Sequence, residues 1–162
     1  MLSEVRLGES ADTFHRLATE QWRETGQSAT TLAYLPDDGE PTLQVLLGAA
    51  PPTARHLART ARELTAHALI LTGEAWAAAL PNAKVFDLPP DDRPRPSDLP
   101  ERYSVIVTVA VRTDGLTVLR ETRINTGAFG RTLTPGHLTD PGPREHGLAA
   151  LLREALTLAH HG

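Results

Sequence analysis

The sequence predicts an α+β fold, a two-layer sandwich in which helices cover one face of a mainly antiparallel sheet of about five strands. Two observations predict it. Three stretches repeat apolar residues with helical spacing, and most of the strand candidates between them are joined by short, turn-rich segments. The predicted order is α-β-β-α-β-β-β-α. Because hairpins join antiparallel neighbours, this order favours α+β over a doubly wound parallel sheet.

The first helical pattern begins at Ser10 or Asp12, either of which is a good N-cap, and ends at Gly26. The second covers 51–66 and starts with prolines, which the first turn of a helix tolerates. The third is a leucine-rich stretch over 144–160. We expect the second and third helices to cover the sheet, with the first at an edge of the sheet or beside them.

Five strands are expected between the helices, from runs of apolar and β-branched residues bounded by turn residues. The last two are separated by Asp114–Gly115, a strong hairpin signal. The expected strands cover residues 30–35, 42–49, 66–80, 102–112 and 116–125. Alternation along the third strand places Leu69 and Leu71 on an aliphatic face, and Glu74 and Trp76 on a more polar one.

The chain of 162 residues is expected to form one domain, with a proline-rich loop at 81–102 and a glycine- and proline-rich loop at 126–147. It contains no cysteine, which excludes disulfides, thiolate nucleophiles and cysteine-based metal sites. No stretch resembles a signal peptide or a membrane span, so we expect a soluble, cytoplasmic protein that does not engage membranes. The net charge of −4 argues against non-specific nucleic-acid binding.

Three interpretations are open for Glu74, a carboxylate inside an apolar strand. It could form a cross-strand ion pair with Arg112, Arg120 or Arg123. It could belong to an interface in which Trp76 is the buried anchor, since tryptophan is enriched at binding hot spots. It could also be a catalytic acid, although the sequence supplies no second catalytic group at a diagnostic spacing.

The candidate partners for catalysis or metal binding are His137, Asp140 and His146, which fall within one predicted loop. Their spacing matches no metal signature, so we expect no metal site and no cofactor there. The nearby glycine-rich segment 126–132 lacks the phosphate-loop and dinucleotide patterns, and turn glycines explain it. A hydrolase or nuclease centred on Glu74 and these loop residues is the third functional hypothesis.

Arginine side chains form one stripe of the second helix, at Arg55, Arg59 and Arg62. Such a stripe is typical of the solvated face of an amphipathic helix, but it could also bind nucleic acid or another polyanion. This gives the second functional hypothesis, which the acidic net charge does not favour.

Several short segments match a shared pattern: Glu74-Ala75-Trp76, then Pro96-Ser97, then Pro100-Glu101-Arg102 followed by "VIVTVAVRTDG". In these segments, residues 50 to 125 resemble small uncharacterised bacterial and phage-associated proteins. The resemblance implies no known activity, cofactor or substrate. It does suggest that the proline-rich loop returns Arg102 to the neighbourhood of Glu74.

Together these observations favour a non-enzymatic cytoplasmic accessory protein that associates with itself and with other proteins. The expected interface residues are Glu74, Trp76, Arg102 and Arg112, on the more polar sheet face. An edge strand of the sheet is the alternative contact. No catalytic residue is assigned, and the sequence names no small-molecule ligand.

Overall fold

The computed structural model describes residues 1–47, 52–77, 92, 102–135 and 147–162, which contain three helices and six strands. In chain order these are α1 (Glu4–Thr25), β1 (Thr31–Leu35), β2 (Thr42–Val45), α2 (Ala54–Glu63), β3 (Ala68–Ala77), β4 (Tyr103–Arg112), β5 (Thr117–Gly127), β6 (Gly130–Pro135) and α3 (Gly147–His161). No helix among the described residues is long and apolar enough to cross a membrane.

The strands form one sheet in the order β2-β1-β3-β4-β5-β6, and every neighbouring pair is antiparallel. The predicted α+β fold with an antiparallel sheet is therefore confirmed. The described part of the sheet has six strands rather than about five, because β6 lies inside the stretch expected to be a loop at 126–147. A two-residue turn joins β5 to β6 between Gly127 and Gly130, and Gly130 has a φ of 106° that favours glycine.

Helices cover both faces of the sheet. The helices α2 and α3 pack on the aliphatic face, whose four valines on β4 are buried, as expected for the second and third helices. The helix α1 packs on the opposite face instead of lying at an edge or beside α2 and α3. That face carries Ala33, Ile70, Ala110 and Val118, which need their own cover from water. The sandwich therefore has a third layer.

The helix α1 starts earlier than Ser10 or Asp12. Ser3 is its N-cap and accepts a hydrogen bond from the Arg6 N–H at 3.1 Å. The added turns bury Leu7 completely, so they belong to the core face of the helix. Its end is as predicted, since Gly26 has a φ of 76° and donates its N–H to a carbonyl of the last turn.

A glycine inside β3 allows the start of β1 to lie close to it. A Cβ on Gly73 would come within 2.9 Å of the Thr30 Oγ1 and 3.2 Å of the Thr30 Cα. The Thr30 carbonyl in turn accepts a hydrogen bond from the Leu46 N–H at 2.8 Å. Gly73 thus permits the close approach that seats both β1 and the end of β2.

Candidate interaction surfaces

The strand β2 lies at one edge of the sheet and presents apolar side chains to solvent. The Leu43 and Val45 side chains are 55% and 54% exposed. Both side chains are on the same face of the sheet as α1, because Leu43 is opposite Ala33 of β1, which is buried under that helix. Leu47, just beyond the strand, is 92% exposed. We call Leu43, Val45 and Leu47, with the backbone of β2, the β2 edge.

Part of the backbone of the β2 edge points away from the described sheet. The Leu46 N–H donates to the Thr30 carbonyl. This bond determines which residues of β2 turn their backbone N–H and C=O groups toward β1. Alternate residues in an antiparallel ladder turn their N–H and C=O groups toward the same neighbour. Gln44 therefore faces β1, whereas the backbone groups of Leu43 and Val45 face away from the sheet.

The β2 edge lacks the devices that usually stop an exposed strand from pairing. Residues 41–47 contain no charged side chain, and the single proline, Pro41, precedes the strand. Edge strands of monomeric proteins commonly carry lysines, prolines or bulges that prevent pairing. An uncharged, partly apolar edge with outward backbone groups is chemically suited to receive another strand.

The strand β6 forms the other edge of the described sheet, and a charged residue anchors it. The Arg131 guanidinium lies 3.5 Å from the Glu74 carboxylate and 5.3 Å from the centre of the Trp22 ring. Its side chain also donates to the Gly26 carbonyl at 3.5 Å. The C-terminal end of α1 and the end of β3 are thereby tied to the β6 edge.

Glu74 is partly exposed, but both of its carboxylate oxygens are engaged within this cluster. Its Oε1 accepts a hydrogen bond from the Ser28 N–H at 3.1 Å, and its Oε2 faces Arg131. The ion-pair interpretation of Glu74 is therefore the one that the contacts support. Its partner lies on β6, a strand that the sequence did not predict. Two buried polar atoms nearby, the Trp22 Nε1 and the Ser28 Oγ, have no hydrogen-bond partner among the described residues.

Trp76 lies two residues further along the same face of β3 and is 49% exposed. The Arg102 guanidinium lies 4.8 Å from the centre of its ring, within the range of a cation–π interaction. The structure thus brings Arg102 to Trp76, next to Glu74 along the strand. This arrangement leaves part of the indole surface in contact with solvent.

The other arginines proposed for Glu74 lie elsewhere. Arg112 pairs with Ala68 at the opposite end of β3, and its Nε donates to the Asp114 carboxylate at 2.8 Å. This contact lowers the pKa of Asp114 to about 2. Arg120 binds Asp12 of α1 at 2.7 Å. The predicted cross-strand contacts of Glu74 with these two arginines are therefore not formed.

A groove between α2 and the end of α3 has a volume of about 290 Å³ and contains the predicted arginine stripe. The Arg62 side chain donates to the carbonyls of Leu158 and Ala159, so it caps the C-terminal turn of α3. Arg55 and Arg59 are exposed, and neither makes an ion pair with a residue in the described ranges. Within the stripe, the guanidinium group of Arg62 therefore has a structural role, whereas those of Arg55 and Arg59 are solvated.

A partly buried histidine on the inward side of α1, His15, was not predicted from the sequence. The His15 ring nitrogens lie 2.9 Å from the Thr108 Oγ1 and 2.8 Å from the Thr122 Oγ1, on β4 and β5. Burial lowers the pKa of His15 below its usual range, and Arg120 lowers it further, whereas Asp12 acts in the opposite direction. The sequence signal was its position on the inward side of α1, four residues after the buried Ala11.

The loop residues proposed for catalysis or metal binding, His137, Asp140 and His146, lie outside the described residues, so their distance from Glu74 is not defined. Within the described ranges, no group of three or more histidines and carboxylates is placed to hold a metal ion.

Comparison with known proteins adds no family to this geometry. No protein-family model, no curated protein and no solved structure matches the chain.

Proposed function

We propose that this chain is a non-enzymatic accessory protein that associates with itself through the β2 edge. The observation that carries the proposal is the coincidence of exposed apolar side chains and outward backbone groups on the same two residues, Leu43 and Val45. The proposal also includes the features inferred from the sequence alone, a cytoplasmic location and kinship with bacterial or phage-associated proteins.

The size of the β2 edge predicts a weak and reversible dimer. The strand has four residues, so pairing two of them buries less than the roughly 1,200 Å² of a standard interface. Complete burial of a leucine or valine side chain contributes about 1.5–3 kcal/mol. Because Leu43 and Val45 are already about half buried in the monomer, dimerisation can add only about half of that for each side chain. The loss of rotational and translational freedom offsets a large part of this gain. We therefore expect dissociation constants of about 1 µM or weaker.

Sedimentation equilibrium over a range of concentrations tests this proposal. The unchanged protein should shift from monomer to dimer as its concentration rises. Leu43→Lys or Val45→Lys should weaken the dimer at least tenfold, because each places a charge against an apolar strand. Thr132→Lys is the matched control, since Thr132 is an exposed position on β6 at the other edge.

A protein that stays monomeric at all concentrations would overturn self-association. A dimer that survives both substitutions on β2 would overturn this surface as its site. Circular dichroism and urea unfolding should show that the variants remain folded, because the substituted side chains are already half exposed.

A second candidate function is anion binding in the groove between α2 and α3. The observation that favours it is the pair of solvated guanidinium groups, Arg55 and Arg59, beside an apolar floor that includes Leu158. This retains the polyanion hypothesis, with Arg62 assigned to the cap of α3.

Fluorescence anisotropy with a labelled single-stranded oligonucleotide tests the second function. Binding should weaken when Arg55 and Arg59 are replaced by glutamine, and it should fall steeply with salt. Arg23→Gln on the exposed surface of α1 is the control. Equal binding by the double variant and the control would remove the groove as a polyanion site.

A further inference from the structure

We infer that two copies of this chain join their sheets at β2 in a single register, about a two-fold axis that passes between the two Gln44 residues. In this register Leu43 of the first copy lies opposite Val45 of the second copy. By symmetry, Val45 of the first copy lies opposite Leu43 of the second. This inference rests on the proposed self-association, and it names the partner as a second copy and defines how that copy binds.

The phase of the backbone limits the possible registers. Only residues whose N–H and C=O groups face away from β1 can bond to a new strand, and within β2 these are Leu43 and Val45. In an isologous antiparallel pairing, the outward residues of one copy must meet those of the other. The symmetric choices are centred on Leu43, Gln44 or Val45.

The register centred on Gln44 is the one that the strand itself supports. It pairs Leu43 with Val45 twice, so all four hydrogen bonds come from residues already in strand conformation. A centre at Leu43 would bring Pro41, which has no N–H, into the ladder. A centre at Val45 would require Leu47, which lies beyond the end of β2.

The side chains agree with this choice. On the α1 side of the joined sheet, Leu43 and Val45 of each copy would cover those of the other, removing the exposed apolar surface from water. On the α2–α3 side, the two Gln44 amides would be neighbours, and neither carries a charge. Residues 41–47 hold no charged group that would repel an identical strand. The six strands of each copy would form one continuous sheet.

Single-cysteine variants test the register directly, because the natural chain has no cysteine to interfere. Two Gln44 residues across the axis would form a non-hydrogen-bonded pair, whose Cα atoms lie about 4.5 Å apart and suit a disulfide. Under mild oxidation Gln44→Cys should therefore give a covalent dimer on a non-reducing gel. Thr42→Cys lies on the same strand and face, but opposite Leu46 of the second copy, and should not.

Each outcome bears on a different part of the inference. A covalent dimer from Gln44→Cys supports the register if it forms well above the level of Thr42→Cys and its yield falls when the oxidation is carried out on dilute protein. Efficient cross-linking by Val45→Cys or Leu43→Cys instead would overturn the register while leaving pairing at β2 intact. A dimer in sedimentation without cross-linking at any of these positions would place the interface elsewhere. A protein that never dimerises would overturn the proposed function itself.

Discussion

The two edges of the sheet differ in how they are protected from pairing. The β6 edge carries Arg131, whose guanidinium is held by Glu74 and lies over the ring of Trp22. The β2 edge carries no charge between residues 41 and 47, and it exposes Leu43. One edge is charged and tied to the rest of the fold, whereas the other is uncharged and available to a second strand.

This difference indicates which part of the described sheet is suited to bind a partner. Exposed strand edges tend to aggregate, and monomeric proteins usually block them with charge or cover. The β6 edge carries Arg131, and its Leu133 packs against the cluster that contains Trp22, so the uncharged β2 edge is the exception within the described sheet. The proposed contact of β2 with a second copy would account for that exception.

The dependence of the β6 edge on α1 is tested by Trp22→Ala. Trp22 is 6% exposed and packs with Ile106 and Ile124, so its removal should lower the free energy of unfolding by about 3–5 kcal/mol. Urea unfolding measures the change. Leu17→Ala, on the exposed side of the same helix, should cost about 0.5 kcal/mol or less. Similar losses for both variants would contradict the anchoring role of α1.

The seating of β2 against β1 is tested by Gly73→Ala. The new Cβ would press on the side chain and backbone of Thr30, whose carbonyl holds the end of β2. We expect a loss of about 1–3 kcal/mol of stability, typical of overpacking, together with weaker dimerisation. Gly8→Ala is the control, since its Cβ would meet nothing within 4 Å inside α1. That substitution should stabilise the protein by about 0.5–1 kcal/mol.

A smaller effect is expected from pH through His15, which lies between α1 and the sheet. Its pKa in the folded state is below the 6.5 of the unfolded chain, so the unfolded state binds the proton more readily. The stability present above pH 6.5 is lost as the pH falls through 6.5 toward the folded-state pKa. Burial raises the pKa of Glu121, so that carboxyl contributes in the opposite sense.

Urea unfolding of the natural protein and of His15→Gln, at pH 7.5 and at pH 5.5, isolates this contribution. The loss of stability on acidification should be larger in the natural protein than in the variant. An identical pH dependence of the unfolding free energy in both proteins would show that His15 does not contribute to the loss of stability on acidification.

The smallest effect is expected from Glu74→Gln. The ion pair with Arg131 is partly exposed, with the two side chains 32% and 42% accessible, so its loss should cost about 0.2–1 kcal/mol. Glutamine keeps an oxygen that accepts the Ser28 N–H. The cost should shrink at high salt, where such pairs are screened. Unfolding at low and high salt measures it, and a cost of several kcal/mol would indicate a deeper role for Glu74.

The alternation in β3 and β4 predicted much of this fold from the sequence. It placed Leu69 and the β4 valines under the helices and Glu74 on the opposite face, as the structure shows. The strand β6 was not predicted because its residues, "GRTLTP", are mostly glycine, threonine and proline, which do not form an apolar strand pattern. It is a strand because it pairs with β5. Since Arg131 lies in that strand, the partner of Glu74 could not be identified from the sequence.

The start of α1 and the position of β2 at an edge also depend on tertiary contacts that the sequence pattern does not reveal. The first turns of α1 are held by Ser3 and by the burial of Leu7, and burial is not visible in the sequence. The apolar run of β2 was recognised as a strand, but its position at the edge follows from the pairing of β1 with β3. Alternation predicts the two faces of a strand, whereas pairing alone decides which strands become edges.

Amide hydrogen exchange as a function of protein concentration tests the central claim most directly. The N–H groups of Leu43 and Val45 face away from the sheet at β2, and in the two-residue hairpin those of Arg131 and Leu133 do so at β6. We predict that exchange at Leu43 and Val45 slows as the concentration rises, while exchange at Arg131 and Leu133 does not change. Exchange at Leu43 and Val45 that is independent of concentration, or protection gained at β6 instead, would contradict the account.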